Sequence, residues 1–180
     1  MGQDKSRIVI DGVTLAARTA HLLSLVVETA IEIGPGVSGL PAIMEQPRGQ
    51  GPLVAVAAGC GVLRDQGHTG AALVIACDLP FISERLLRFL AEYPAEGSVV
   101  SLVRGRPQPL CARWGARDLN GAQELVNRGV RSLQHLSNQP DVTYLDESAW
   151  EHVANERDFS DVDSPDDLYR LGLTTRIPPN

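Results

Sequence analysis

Residues 70–80, GAALVIACDLP, contain the clearest strand in this sequence. Its apolar residues follow one another without a break, a pattern that predicts a strand covered on both faces. Asp78 and Pro80 end the run abruptly. Open α/β sheets bind their ligands at the carboxyl ends of such strands. The stretch therefore predicts a layered α/β fold with Asp78 at the edge where a ligand would bind.

Helices and further strands are predicted on both sides of this strand. A helical spacing of apolar residues begins after Thr14, whose hydroxyl can cap the helix. Pro52 occupies the first turn of a second helix, and Ser83 caps a third. Residues 98–113 predict two adjacent strands joined by a turn, which would add an antiparallel part to the sheet. Helices alternating with strands favour a three-layer, Rossmann-like domain with a mostly parallel, partly mixed sheet.

Length and composition are consistent with a single domain. The chain has 180 residues, 43% of them hydrophobic and only 4% aromatic, so its core is built from Leu, Val, Ile and Ala. We expect one domain over residues 1–173 and a loose tail over residues 174–180. Beside one such domain, this length leaves room for at most a small appendage.

Charge and cysteine usage exclude several classes of protein. The net charge is −6 and no Lys/Arg cluster is long enough to follow a nucleic-acid backbone. No run approaches the roughly 18 apolar residues of a membrane span, and no signal-peptide pattern is present. Cys60, Cys77 and Cys111 lie apart among apolar neighbours, which predicts buried free thiols in a reducing compartment. We therefore expect a cytoplasmic protein that binds neither nucleic acid nor membrane.

Asp78 is the first candidate for chemistry. Mg²⁺ takes one or two carboxylates together with phosphate oxygens, so a lone aspartate at a strand end suits a magnesium site. Aspartates also cap helices and stabilise turns at such positions. The local sequence favours neither interpretation over the other.

Two further segments could hold phosphate. GQGPLVAVAAG at 49–59 places glycines ahead of a helix, where backbone N–H groups and the helix dipole favour an anion. Its spacing matches neither a Walker loop nor GxGxxG, so taken alone it is better explained as an ordinary turn from a loop into a helix. Lys5, in MGQDKS, could neutralise phosphate charge, although a solvated lysine is the commoner finding near a terminus.

The segment FSDVDSPDDL near the end of the chain is rich in aspartate. A capped helix start explains Ser164, Pro165 and Asp166. It does not explain Asp161 and Asp163, which alternate with a valine and would share a face. They could complete a metal or polar-ligand site. No histidine-based constellation accompanies them, and a phosphate nucleophile, already ionised near neutrality, needs no general base. This combination suits nucleotidyl transfer onto a phosphate.

Five stretches taken together resemble the molybdenum cofactor guanylyltransferase (MobA-like) family, and they occur in the family's order over nearly the whole chain. They are MGQDKSRIVIDGVTLAART, GQGPLVAVAAG, VIACDLPF, GRPQPLCARW and DFSDVDSPDDL. NRGVRSLQHL also resembles the family's G-x-R-S segment.

The resemblance implies roles for individual residues. It places Gly2 and Lys5 at the nucleotide phosphates, Gly51 and Pro52 in the loop beside the nucleotide, Asp78 on Mg²⁺, and Arg131, Asp161 and Asp163 toward the pterin substrate. The family's acidic pair before the GPL loop corresponds here to Glu45 and Gln46, and which of them serves the nucleotide stays open.

The resemblance also implies a reaction and its partners. The family joins GMP from Mg-GTP to the terminal phosphate of molybdopterin and releases pyrophosphate, and other proteins of molybdenum cofactor synthesis or acceptor enzymes would be its partners. Two alternatives stay open: a related nucleotidyltransferase that uses CTP or another phosphate acceptor, and an inactive homologue that acts in binding or regulation. The family's first strand and LAGGxSxR loop precede the segment that matches residues 1–5, so we expect a longer reading frame.

Overall fold

A computed structural model describes residues 4–163 and 165–173 of the chain. Gly2, Ser164 and the predicted tail over residues 174–180 lie outside the described residues. The helices are α1 (Leu15–Ser24), α2 (Pro52–Asp65), α3 (Glu84–Glu92), α4 (Ala116–Asn127), α5 (Gln134–Ser137), α6 (Glu147–Trp150) and α7 (Pro165–Arg170). The strands are β1 (Val9–Ile10), β2 (Val13–Thr14), β3 (Glu32–Ile33), β4 (Ala42–Ile43), β5 (Ala72–Ile75), β6 (Val99–Val103), β7 (Arg106–Trp114) and β8 (Thr143–Leu145).

Helices α1, α2 and α3 begin where the sequence predicts. The Thr14 hydroxyl accepts the N–H of Ala17 at 3.1 Å, and the Ser83 hydroxyl accepts that of Leu86 at 3.3 Å. Pro52 occupies the first turn of α2, where its missing N–H costs nothing because that group has no partner inside the helix. Three local predictions are thereby confirmed.

The main sheet is mixed, as expected. Within the described residues its strand order is β5–β7–β6–β8; β7 is antiparallel to both of its neighbours, and β8 is parallel to β6. Three of these four strands therefore run in one direction. The turn between β6 and β7 has positive φ at Arg104 (50°) and Gly105 (71°), which is the backbone of a tight hairpin and confirms the predicted strand pair.

Helices cover both faces of this sheet and form three layers. Val99 and Cys111 point into a core with α3 and α6, whereas their neighbours Val100 and Ala112 point into a core with α2, α4 and α5. This alternation follows from the two-residue period of strand side chains. Each face of the sheet thus packs against its own apolar core.

Both faces of β5 pack against an apolar core, as expected: Ala72 and Val74 contact the core with α2 and α4, and Leu73 and Ile75 contact the core with α3 and α6. All four of its residues are nevertheless only partly buried, because β5 is an edge strand that, among the described residues, pairs with β7 alone. Its other side borders a cavity of about 790 Å³ that also touches α1, α2 and β3. The two-residue strands β3 and β4 form a separate parallel pair beyond the cavity.

The cysteine prediction is confirmed only for Cys111, which is buried. Cys60 and Cys77 are free thiols too, but each is half-buried because it lines the cavity. Burial raises the pKa of Cys111 to about 12. Burial and the nearby charge of Asp78 raise the pKa of Cys77 to about 11, so these two thiols remain protonated at neutral pH.

In the described part of the chain, no helix combines the length and the apolar character that crossing a membrane requires.

Candidate active site

Lys5 lies between two aspartates from distant parts of the chain. Its ammonium group donates to Asp78 Oδ2 at 3.2 Å and also to Asp163 Oδ1. Burial alone would lower the pKa of Lys5, but the hydrogen bonds and charges of Asp163 and Asp78 raise it above its ordinary value. The side chain keeps 36% of its exposure, so a ligand can reach it. Lys5 is also the only lysine in the sequence.

A short helical turn positions Lys5. Residues Lys5–Arg7 form a single 3₁₀ turn, and Asp4 caps it by accepting the Ser6 N–H at 3.1 Å and the Ser6 hydroxyl at 2.5 Å. The other oxygen of Asp4 accepts from Arg7 Nε at 3.2 Å. These bonds explain why a lysine so near the beginning of the sequence is held in place rather than frayed.

The closing segment of the chain returns to Asp78. The N–H of Val162 donates to the carbonyl of Asp78 at 3.0 Å, and the Val162 side chain is fully buried. Asp161 and Asp163, on either side of it, are exposed, so the predicted alternation of this segment is confirmed. Partial burial and the charge of Asp163 raise the pKa of Asp161. Three carboxylates therefore surround one ammonium group.

Gly51 and Arg131 meet at the start of α2. Gly51 has φ +107°, and a Cβ added there would lie 2.9 Å from the carbonyl oxygen of Arg131, so the close approach requires glycine. The same carbonyl accepts the N–H of Leu53 at 3.1 Å. The guanidinium of Arg131 donates to the carbonyls of Val126 and Val130, both at 2.9 Å, at the end of α4.

The predicted site residues thus divide into two groups. Lys5, Asp78 and Asp163 are in contact, and Asp161 is electrostatically coupled to them. The second group lies on other segments around the cavity. Pro52 lines the cavity that Lys5 and Asp78 border, and Gly51 and Arg131 meet beside it. Glu45 accepts the N–H of Gly49 at 3.0 Å within its own loop.

Glu32 is a cavity residue that the sequence patterns did not indicate. Its carboxylate accepts the backbone N–H groups of Gly36 (2.7 Å), Val37 (3.2 Å) and Ser38 (2.8 Å). Burial alone would raise the pKa of Glu32, but these hydrogen bonds lower it. The glycine-containing turn that follows Glu32 in the sequence is the one feature that could have indicated this role.

The carboxylate of Asp78 has the chemistry that a magnesium site needs. Oδ2 meets Lys5, while no hydrogen bond to Oδ1 is found among residues 4–163 and 165–173. The same residues contain no group of three or more His, Cys, Asp or Glu side chains arranged to hold a metal. One carboxylate still fits Mg²⁺ where phosphate oxygens and water supply the remaining ligands.

Comparison with known proteins decides the family. The family model described as "MobA-like NTP transferase domain" matches residues 1–146. The chain belongs to this family. As a MobA-like NTP transferase it is a nucleotidyltransferase, and Lys5 and Asp78 both fall within the matched region.

Curated relatives of this MobA-like chain carry a common name. A "Probable molybdenum cofactor guanylyltransferase" of Pelotomaculum thermopropionicum is 29% identical over 94% of this chain and 84% of its own length. One from Nostoc sp. is 27% identical over 74% and 69%. The chain spans less of some other relatives, such as 66% of the one from Halalkalibacterium halodurans and 50% of the one from Bacillus mycoides.

Solved structures share the fold of this MobA-like chain. Molybdopterin-guanine dinucleotide biosynthesis protein A from Archaeoglobus fulgidus has a TM-score of 0.66 at 20% identity and covers 94% of this chain and 89% of its own. A nucleotidyl transferase from Methanothermobacter has a TM-score of 0.68 at 20% identity, with coverage of 93% and 82%. At this identity the likeness concerns the fold alone.

Proposed function

We propose that this protein transfers GMP from GTP to the terminal phosphate of molybdopterin or the molybdenum cofactor and releases pyrophosphate. The observation that carries the proposal is the contact of Lys5 with Asp78 and Asp163 at the carboxyl end of β5, on the border of a cavity. The names of the curated relatives support the choice of GTP and molybdopterin.

The reaction balances without a side-chain base. An oxygen of the acceptor phosphate forms a bond to the α-phosphorus of GTP, and the bond from that phosphorus to the bridging oxygen of pyrophosphate breaks. The second pKa of a phosphate monoester is about 6, so the attacking oxygen is already ionised at neutral pH. The protein's task is to orient two anions and to stabilise the charge between them.

The described residues divide this task. Lys5 would exchange one of its carboxylate partners for a phosphate oxygen and remain charged. Asp78 would hold Mg²⁺, which when bound neutralises phosphate charge. Gly51 and Pro52 open α2, a helix of 14 residues, and would keep its N-terminus close to the nucleotide.

The remaining predicted residues would serve the two substrates. Arg131, Asp161 and Asp163 would lie toward the pterin, and Gly2 and Glu45 toward the nucleotide. Other molybdenum cofactor synthesis proteins or acceptor enzymes would deliver or receive the pterin. We place this exchange in the cytoplasm.

Pyrophosphate release tests the proposal. We expect GTP with Mg²⁺ and molybdopterin to support turnover and CTP to support little. Asp78→Asn should lower kcat/KM by about 10²–10³, because Mg²⁺, which would offset the negative charge of the transition state, loses its carboxylate ligand. Asp65→Asn, at the far end of α2, is the matched control and should leave kcat/KM unchanged.

Other outcomes would decide against the proposal. Full activity in Asp78→Asn would rule out the assigned role of this carboxylate. A preference for CTP would favour the related nucleotidyltransferase, and binding of GTP without turnover of either nucleotide would favour a binding or regulatory protein.

A further inference from the structure

Arg157 contacts the loop that carries Asp78. This loop, residues 76–83, joins β5 to α3, and we call it the Asp78 loop. It is anchored to the sheet by Leu79, whose side chain is buried in the core with α3 and α6. The guanidinium of Arg157 lies over the half-buried ring of Phe81, with Cζ 3.8 Å from the ring centre. This distance is well inside the limit of about 6 Å for a cation–π contact.

The same guanidinium reaches a second part of the chain. Its Nη2 donates to the carbonyl of Leu171 at 2.7 Å. Leu171 directly follows α7, and basic side chains commonly hydrogen-bond carbonyls at this end of a helix. We call the stretch from Arg157 to Leu171 the closing segment. Arg157 therefore ties the two ends of the closing segment together and also holds them to the Asp78 loop.

The backbone at Arg157 is fixed by its own turn. Arg157 belongs to the 3₁₀ turn Glu156–Phe159, which Asn155 caps by accepting the Arg157 N–H at 2.9 Å. The carboxylate of Asp158 accepts the Asn155 N–H in return, at 3.1 Å. Asp158 and Phe159 are both buried. A side chain that leaves a backbone fixed in this way holds the groups it contacts in place.

The middle of the closing segment holds the site residues. Val162 donates its N–H to the carbonyl of Asp78 at 3.0 Å, and Asp163 accepts from Lys5. The hydrogen bond that closes the segment joins positions 14 apart in the sequence, and closing a loop restricts every residue inside it. The Arg157 side chain therefore restricts Asp163 as well.

Arg104 offers a comparison at the same turn. Its guanidinium pairs with Glu156, the neighbour of Arg157, in an exposed salt bridge. This contact joins the turn to the β6–β7 hairpin and not to the Asp78 loop. Exposed ion pairs of this kind contribute little to stability. Arg157 differs from Arg104 in the two groups that it joins.

We propose that Arg157 is a positioning residue, which sets the place of Asp161 and Asp163 relative to Asp78 and thereby the affinity for the second substrate, the acceptor. This inference rests on the proposed function, in which these two aspartates lie toward the pterin. The same function assigns the nucleotide to Lys5, Asp78 and the start of α2. Binding of GTP should therefore depend less on Arg157 than binding of the acceptor.

Separate measurement of the two KM values tests the assignment. In Arg157→Met we expect the KM for molybdopterin to rise about 5–30-fold, because a cation–π contact and a hydrogen bond from a charged donor are lost together. The KM for GTP and kcat should stay within about twofold, since only binding on the acceptor side is weakened. Arg157→Lys keeps a cation near the ring and should restore part of the affinity. Arg104→Met is the matched control and should change neither KM.

Amide hydrogen exchange tests the same contact without any substrate. The N–H of Val162 reports whether the closing segment stays on the Asp78 loop, because its acceptor is the Asp78 carbonyl. Its exchange should be about 5–30-fold faster in Arg157→Met. Phe81→Leu should speed this exchange more in the native chain than in Arg157→Met, because both changes remove one contact. The amide of Ala76, bonded to β7 at 2.8 Å, is the internal reference for unfolding of the whole chain.

Three results would overturn the assignment. Unchanged exchange at Val162 in Arg157→Met would mean that this side chain does not hold the closing segment. A KM for molybdopterin that stays at the native value, or that rises no more than the KM for GTP, would remove its action on the acceptor. Equal effects in Arg104→Met would mean that Arg157 has no special part.

Failure of the proposed reaction is a different outcome. A native chain without turnover would count against the reaction, and the Val162 amide would still decide whether Arg157 holds the closing segment. Equilibrium dialysis of molybdopterin against the native chain, Arg157→Met and Arg104→Met would then replace the KM values. Equal binding to all three would overturn the action of Arg157 on the acceptor.

Discussion

The contact between Lys5 and Asp78 should couple the two residues measurably in a double-mutant cycle. Their charged atoms are 3.2 Å apart, and their side chains keep 36% and 22% of their exposure. A pair this open to water resembles a surface salt bridge, for which double-mutant cycles give coupling free energies of about 0.2–1 kcal/mol. We expect a coupling of about 0.5–1 kcal/mol from Lys5→Met, Asp78→Asn and the double variant. At this chain length that corresponds to about 1–4 °C in Tm.

The coupling should also depend on pH in a defined direction. The pKa of Lys5 is raised in the folded state, so the folded chain holds this proton more tightly than the unfolded chain. The resulting stability is complete below the ordinary lysine value of about 10.4 and is lost as the pH rises through the higher folded-state pKa. Urea unfolding at pH 7.5 and at increasing alkaline pH, with Lys5→Met as the reference, measures this loss.

Two results would refute this account of the cluster. A coupling of zero at low salt would mean that the two charges do not interact in solution. A stability difference between the native chain and Lys5→Met that grows with alkaline pH would reverse the sign that a raised lysine pKa requires. A coupling that shrinks in 1 M salt is expected, because the pair is partly hydrated.

Three further predictions concern stability and reactivity. Gly51→Ala should lower the free energy of unfolding by about 1–3 kcal/mol, because φ is +107° and a carbonyl oxygen lies 2.9 Å from the new Cβ. The control is Gly61→Ala, which has open space around its position in α2 and should be neutral or stabilise the chain by up to about 1 kcal/mol in the same urea titration. Arg113→Met should destabilise the chain by about 2–4 kcal/mol, since its buried guanidinium donates to four backbone carbonyls; a loss under 1 kcal/mol would contradict that role. Because Lys5 is the only lysine in the sequence, reductive methylation should modify one side chain. GTP should slow this modification, which mass spectrometry measures. A rate of labelling that GTP leaves unchanged would argue against a contact between Lys5 and the phosphates.

Much of the local structure was predictable because neighbouring residues decide it. Thr14, Ser83 and Pro52 mark helix starts through their own hydroxyls or ring, so a few residues of sequence suffice. The alternation of Asp161 and Asp163 around a buried valine was predictable from strand geometry for the same reason. The family resemblance added candidate roles for these aspartates that spacing alone left open.

Features that depend on the order of strands in the sheet or on the fold of a particular loop were not predicted. An unbroken apolar run predicts a strand with both faces covered, and the two cores do cover β5, but its position at the sheet edge beside a cavity was not predicted because strand order depends on the whole fold. The structural role of Glu32 was missed because its three hydrogen bonds require a particular fold of the following turn. The two hydrogen bonds from the Arg131 guanidinium to carbonyls at the end of α4 were not predicted either.

The sequence by itself determined where α1, α2 and α3 begin, the strand pair that makes the sheet mixed, and Asp78 as the carboxylate that follows a strand, because caps, turns and apolar periodicity act over a few residues. Only the tertiary structure brought Lys5 to Asp78, 73 positions away, and to Asp163, 158 positions away. Only the tertiary structure, too, placed β5 at an edge of the sheet beside a cavity. Contacts at such separations follow from the packing of whole layers, which no local pattern of residues encodes.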